Sequence, residues 1–422
     1  MQLIVELQVK ISNGSLGAFT DGLHRHGCRL QLLHLKDSIE EYEIYDAEII
    51  HSDPEAYEAF IAAAATARDS YQILGERNVL EDSIAGGLLN VAGKTPIENQ
   101  GDYDLRLLGS AALMREMIRQ GKGDHCTGIL KTVAMLGCVK KRIEPSLDTI
   151  RLWHADLERD SVITGHFTGL NAFPLIITYG QIEDLIKTIQ GIDAGFVALR
   201  ITGIEDVDDS GVYEQIISEM SLPLISTVYD ELPLLLLVET LHLLERDHLG
   251  LPEATAGIIG IDTSSLRMTR LLHGLGCHRV LGYDHNEKHM LTFEKSGGLA
   301  TTPENIFNNA DVILLFKNHF TIDEFHRIRA GQILISLIEF DELERGIIVE
   351  KGIRDFVSRQ RIDPAVVFPG LLSGLLKTGA RTIDDVKLVE TAKKINRQRA
   401  RDKRPLSLFM NAHDLVARFM ID

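Results

Sequence analysis

The sequence predicts a multidomain α/β protein, and three observations carry that prediction. Its 422 residues exceed what one hydrophobic core usually organises, so two or three domains are expected. The opening residues read as a small module of strand, helix, two strands and helix. From residue 175 onward, apolar runs of strand length alternate with segments of helical spacing, which is the pattern of a parallel sheet with crossover helices.

Residues 3–11 alternate apolar and polar side chains and read as a strand. Asn13-Gly14-Ser15-Leu16-Gly17 is a turn, and residues 18–27 have helical spacing closed by a glycine. Strands are expected at 28–35 and 42–51, with a helix at 54–65. This βαββα order, with its Gly-x-Leu-Gly turn before the first helix, resembles an ACT domain and is assigned to residues 1–75. In that family the turn and helix start form a small-molecule regulatory site, often for an amino acid.

Residues 70–160 read as mostly helical, punctuated by Gly86-Gly87, Gly121-Lys-Gly123 and Pro145. Then come a strand at 175–179, a helix at 182–189, a strand at 196–201, a helix at 212–220 and a strand at 222–228. Residues 76–245 are therefore expected to form a second α/β domain.

In residues 246–422, a strand at 256–261 runs into a polar turn, and a helix at 266–275 stops at Gly276. A second strand, 278–283, ends at Asp284, and further strands are expected at 309–316 and 332–336. This is the plan of a Rossmann-like dinucleotide-binding domain. A pyrophosphate needs a turn whose backbone amides can approach it at a helix N-terminus, and an acid after the next strand takes the ribose hydroxyls. Gly260 and Asp284 stand at those places as the candidate residues for NAD or NADP. The second and third glycine positions hold Asp262 and Ser265, and a carboxylate there would repel a pyrophosphate. The alternative reading of the pair is a tight strand-end turn and a capping acid.

Three segments resemble the malic enzymes, specifically the bacterial type with an N-terminal ACT domain. Phe167-Thr-Gly-Leu-Asn-Ala-Phe-Pro-Leu175 is similar to that family's Phe-Ala-Gly-Val-Asp-Ala-Phe-Pro-Ile. The Rossmann opening from Gly257 to Asp284 is the second segment. The third is Val367-Phe-Pro-Gly-Leu-Leu-Ser-Gly-Leu-Leu, similar to Ala-Phe-Pro-Gly-Ile-Phe-Arg-Gly-Ala-Leu. The resemblance implies a malic-enzyme-type α/β domain before the Rossmann-like domain, and a homodimer. It also implies oxidation of malate with NAD or NADP and decarboxylation to pyruvate, with a divalent cation as Lewis acid, a lysine base and a tyrosine acid.

Each role points to particular residues. For Mg²⁺ or Mn²⁺ the family's acidic pairs fall on Glu205 and Asp206 and, counting forward, on Asp230 beside Glu231. Anchoring on Leu222-Pro223 places Thr227 and Val228 there instead, and the acidic run around Glu205 also reads as a solvated loop. The lysine position holds Asp160, with Arg159 beside it, and arginine stays protonated. Tyr103 is the nearest phenol to the tyrosine segment, which falls on Leu107-Leu-Gly-Ser110. Leu337–Ile338 and Asp363–Pro364 stand where the family binds malate through asparagines. No catalytic residue can be named.

Composition narrows the partners. A formal charge of −17 argues against nucleic acid. The basic run from Lys393 and Lys394 through Arg397, Arg399, Arg401, Lys403 and Arg404 reads as a solvated helix face, or else as an anion or subunit contact. Four cysteines without a CxxC pair favour reduced thiols in the cytoplasm. The N-terminus lacks a signal-peptide pattern, and no apolar run approaches the roughly 20 residues of a membrane helix, so a soluble protein is expected. Serine-hydrolase elbows and P-loops are absent from the sequence. His154, His166, His273 and His278 are scattered, and Trp153 reads as a core residue. Two functions remain: a catalytically degenerate malic-enzyme relative that binds or senses a malate-like acid or an amino acid, or an active metal- and NAD(P)-dependent oxidoreductase with an altered site.

Overall fold

Alternation along the first strand builds the first core, because Val5, Leu7, Val9 and Ile11 point to one face and are buried. The computed structural model describes residues 3–39, 41–79, 88–89, 97–122, 131–141, 147–204, 212–246, 248–402 and 412–421. The chain divides into two compact units, Met1–Asn90 and Val91–Asp422.

The first unit contains β1 (Leu3–Ser12), α1 (Leu16–Arg25), β2 (Arg29–Ile39), β3 (Tyr42–His51), α2 (Pro54–Thr66) and β4 (Tyr71–Asn78). Its sheet is antiparallel in the order β2-β3-β1-β4, the split β-α-β plan. Phe19 and Leu23 of α1 and Phe60 of α2 close the core. Asp53 starts α2 by accepting the amides of Glu55 and Ala56. β4 corrects the helical reading of this region. Its sequence Tyr-Gln-Ile-Leu-Gly-Glu-Arg-Asn is mostly exposed at a sheet edge, so burial does not mark it as a strand. It also carries the first unit past the boundary expected at residue 75.

The second unit opens on a wide helical segment, Asp102–Leu108, that continues into α3 (Gly109–Arg119). There follow β5 (Thr132–Lys140), α4 (Leu147–Thr168), β6 (Asn171–Tyr179), α5 (Ile182–Asp193), β7 (Ala198–Thr202), α6 (Val212–Glu219) and β8 (Leu224–Ser226). These strands form a parallel sheet in the order β6-β5-β7-β8. β5 also lies in the stretch read as helical. It is buried on both faces, so its apolar run has no alternation to distinguish it from a buried helix.

A second wide segment, Thr227–Glu231, leads into α7 (Leu232–Arg246). Next come β9 (Thr255–Ile259), α8 (Thr263–Gly274), β10 (Arg279–Tyr283), α9 (Glu287–Lys295), β11 (Leu299–Ala300), α10 (Pro303–Asn309), β12 (Val312–Leu315), α11 (Ile322–Phe325), β13 (Ile333–Ser336), α12 (Glu342–Glu350) and β14 (Asp355–Val357). The helices α13 (Phe368–Thr378), α14 (Asp385–Asp402) and α15 (Ala412–Ile421) complete the unit. The six strands are parallel in the order β11-β10-β9-β12-β13-β14, the doubly wound Rossmann arrangement with its switch point between β9 and β12.

Helix α7 is apolar on nearly every side, and the core around it draws on Met135 and Ile225 from one sheet and Ile258 and Leu314 from the other. It is too short to be a membrane helix, and no described helix is long and apolar enough to cross a membrane. The expected solvated face of the basic run is corrected at Arg399, which is buried and paired through both terminal nitrogens with Glu239 of α7.

Close packing of α10 on β9 depends on Gly257, where a Cβ would come within 2.5 Å of Ile306 Cγ2 and 2.9 Å of the Ala310 side chain. Gly257→Val should lower the unfolding free energy by about 1–3 kcal/mol through overpacking, read by urea denaturation with far-UV circular dichroism.

Candidate functional site

In parallel sheets the C-terminal strand ends lie together, and a cleft of about 540 Å³ opens where those ends meet the loops after β13 and β14. That volume suits a small-molecule ligand. Thr202 and Thr227 line it from the ends of β7 and β8, Trp153 and Arg159 from α4, and Arg359 and Asp363 from beyond β14. Trp153, expected in the core, is therefore a cleft residue.

The cleft floor is a buried ion cluster. Arg200, in the middle of β7, is only 3% exposed. Its Nη1 donates to Asp160 Oδ2 at 2.7 Å, and its Nε and Nη2 donate to the two Glu231 oxygens at 2.7 and 2.8 Å. Phe368 of α13 lies under the guanidinium, 4.1 Å from ring centre to Cζ. Arg159 donates through Nε and Nη2 to Asp160 Oδ1 at 2.9 and 2.7 Å. Burial alone would push the Arg200 guanidinium toward neutrality, but Glu231 and Asp160 overcome it and hold the group above the ordinary arginine range. Two guanidinium groups thus balance two carboxylates. Both Asp160 oxygens are engaged by permanent cations.

The site residues expected from the sequence separate in space. Glu205 and Asp206 lie outside the described residues. Asp230 is engaged on both oxygens by groups of the chain itself. Its Oδ1 receives Arg267 Nη1 at 2.6 Å, and its Oδ2 receives Tyr213 Oη at 2.6 Å and the Ser226 amide at 2.8 Å. A buried guanidinium already fills the place of a cation, and Asp230 is not among the cleft residues. Thr227, from the other alignment, is the residue that reaches the cleft after β8, and its Oγ1 is buried without a partner. Among the described residues no group of three or more His, Cys, Asp or Glu is placed to hold a metal ion.

Gly260 lies in the left-handed region at φ 86°, and a Cβ there would come within 2.5 Å of the Lys317 amide nitrogen. Lys317 Nζ in turn donates to the Ile261 carbonyl at 3.1 Å. The start of α8 is closed by its own residues. Asp262 Oδ1 accepts the Ser265 amide at 2.7 Å, and Ser265 Oγ accepts the Asp262 amide at 2.7 Å. The Asp262 carboxylate occupies the anion position of the helix N-terminus.

Asp284 is buried beside this turn. It accepts the Ile261 amide at 2.7 Å and the Asn286 amide at 2.9 Å, with His289 Nδ1 at 3.2 Å and His319 Nδ1 at 3.3 Å. Burial pushes its carboxyl up, but the two amides and the flanking histidines outweigh that and set it below the usual aspartate range. The described turn does not fit a dinucleotide in the usual way, because its anion position and its acceptor oxygens are already used.

Tyr103 stands exposed on the segment before α3 and is not a cleft residue. His166 packs on Phe167 at 4.7 Å between ring centres and does not reach the cleft either. Sequence reasoning missed Arg200. A single arginine inside an apolar strand was the available signal, because a charge there requires buried partners.

Comparison with known proteins agrees with this architecture. The malic enzyme structure from Pyrococcus horikoshii matches with a TM-score of 0.64 at 19% identity, covering 79% of this chain and 86% of that one. The NAD-dependent malic enzyme structure from Thermotoga maritima matches with a TM-score of 0.66 at 15% identity, covering 82% and 99%. In sequence, NAD-dependent malic enzyme 1 of Bacillus subtilis is 21% identical over 241 residues, which is 57% of this chain. This chain shares the malic-enzyme fold and is similar in sequence to one malic enzyme over part of its length. It spans 55% of the length of that curated relative. No family model matches it. The cleft lies where the strand ends of the second unit's two sheets meet, with Asp160 in its lining, and Asp160 and Asp262 hold positions where the family resemblance called for a lysine and a glycine.

Arg200→Leu should cost about 3–5 kcal/mol of stability, since it leaves Glu231 buried without its guanidinium and Asp160 with only the exposed Arg159. Removing Asp160 and Glu231 as well, by leucine, should recover part of that loss in the same urea denaturation series. Asp284→Asn should be destabilising at neutral pH. A depressed carboxyl contributes stability above about pH 4, which is lost as pH falls through its folded-state value. The gap in melting temperature between wild type and Asp284→Asn should therefore close on acidification, followed by calorimetry from neutral pH downward.

Proposed function

We propose that this protein is a catalytically degenerate malic-enzyme relative that binds or senses a small molecule. The observation that carries the reading is Asp160, at the family's lysine position, held on both oxygens by Arg159 and Arg200. Loss of a proton-transfer group typically costs about 10²- to 10⁴-fold in rate. The self-capped turn at Asp262 supports the same reading, since NAD or NADP binding there would have to displace an internal carboxylate.

The first unit fits a regulatory role. Its split β-α-β order accords with an ACT-like sensor, and neither Gly14 nor Gly17 at the turn has a neighbour within 4 Å of where a Cβ would stand. An amino acid is the ligand class proposed for that turn, and a malate-like acid for the cleft. Cys28, Cys138 and Cys277 are buried free thiols, which suits the cytoplasm. By the resemblance the chain acts as a homodimer.

The second reading, an active NAD(P)- and Mg²⁺- or Mn²⁺-dependent malate oxidoreductase, draws on the ligand-sized cleft. One pair of measurements separates the two. Purified protein with malate, Mn²⁺ and NAD or NADP should form reduced cofactor at least about 10²-fold more slowly than an ordinary enzyme, while an amino acid or a dicarboxylate raises the melting temperature. Turnover at ordinary enzyme rates would overturn the degenerate reading.

A further inference from the structure

Three arginines line the cleft, and two of them are engaged from within the chain. Arg200 is bonded to Asp160 and Glu231, and Arg159 to Asp160, so their charge is already balanced. Burial works against the Arg159 charge, but Asp160, Asp363 and Asp156 outweigh it and hold the guanidinium above the ordinary arginine range. Arg359, from the turn after β14, differs. Its Nη1 donates to the Leu337 carbonyl at 3.3 Å, and among the described residues it forms no ion pair. That bond ties the side chain to the C-terminal end of β13, the side on which ligands of an open α/β sheet bind.

A second cavity of about 210 Å³ adjoins the cleft, because Glu339, Arg359 and Gln360 line both. Arg345 of α12 and Ser358 also line it, with the rings of Phe340 and Phe356 alongside, 5.6 Å apart. Arg345, too, forms no ion pair among the described residues. The cavity therefore presents two guanidinium groups and one carboxylate, that of Glu339. Like charges that share a small cavity repel each other, and an anion brought in from outside relieves that repulsion. Such a local positive field matters on a chain of formal charge −17, which otherwise repels acids.

We propose that Arg359, with Arg345 in the adjoining cavity as the second cation, holds a carboxylate of the cleft's ligand. The proposal rests on the reading of the cleft as the site of a malate-like acid, and it names the residues that select one. A guanidinium meets a carboxylate through two parallel N–H···O bonds, so an arginine gives orientation as well as charge. Thr227 supplies a second contact from the end of β8, because its buried Oγ1 has no partner and a ligand hydroxyl or carbonyl satisfies it. The class selected is a small acid with a second hydrogen-bonding group. The Arg200 cluster is its neutral floor.

Titration calorimetry of the full chain with malate and with its dimethyl ester tests the anchor. Malate should bind, and the ester, with the same skeleton and no charge, should bind at least about 10-fold more weakly. Arg359→Ala should weaken malate by at least about 10-fold, and Arg345→Ala by a smaller factor. Arg359→Lys should fall between wild type and Arg359→Ala, because it keeps the charge and loses the fork. Glu339→Gln should tighten binding, since it removes the carboxylate that competes with the ligand's own. Arg361→Ala, exposed and lining neither cavity, should match the wild type. Circular dichroism checks each fold, and Arg345→Ala with Glu339→Gln remains decisive if the Arg359 variants unfold. Malate binding that neither alanine variant weakens, or an ester that binds as well as the acid, would overturn the anchor and leave the cleft reading standing. A wild type that binds no malate up to millimolar concentration would overturn both.

Discussion

Arg200 sits in β7 with its guanidinium shared between Asp160 of α4 and Glu231 at the entrance to α7, and with the Phe368 ring against it. Four elements far apart in sequence therefore converge on one buried charge. Taking an arginine and two carboxylates out of water costs several kcal/mol per ion, recovered only when every donor and acceptor is matched in a fixed geometry. The cluster thus sets the position of α4 against the sheet, and of α13 against both. All three side-chain nitrogens of Arg200 are engaged beneath the cleft floor.

The same principle recurs at three other points. Arg267 of α8 is buried with Asp230 and bonded to the carbonyls of Tyr229 and Ile383, while Arg399 of α14 is bidentate to Glu239. At the α8 turn, Asp262 and Ser265 satisfy each other, and Asp284 gathers the amides of Ile261 and Asn286. In each case a polar group is satisfied from within the chain. An internal partner needs no binding event, so such sites gain rigidity and lose affinity for an external ion or phosphate.

The parts legible in the sequence were those governed by local periodicity. β3 was expected at residues 42–51 and runs Tyr42–His51, because alternation and flanking turns mark a strand from within. Four of the six Rossmann strands were legible, and so was the awkward carboxylate at Asp262, while β11 and β14 were not expected and α8 begins at Thr263, three residues before its expected start. β4 and β5 were not legible, since one is a polar edge and the other a run buried on both faces, and neither alternates. Counting forward could not place Asp230 in space, because it cannot see that the strand ends at Ser226 and that Thr227 lines the cleft.

By itself the sequence determined the α/β class and the order of most elements, because these follow from residue type and spacing along the chain. Only the tertiary structure decided how the buried charges pair. The buried partner of Asp160 is Arg200, 40 residues away in the chain and 2.7 Å away in space. Whether Asp262 blocks a ligand or caps a helix depends on where its side chain points. Charges buried by folding take their meaning from partners that periodicity cannot assign, since pairing is decided by which elements the shared core around α7 brings together.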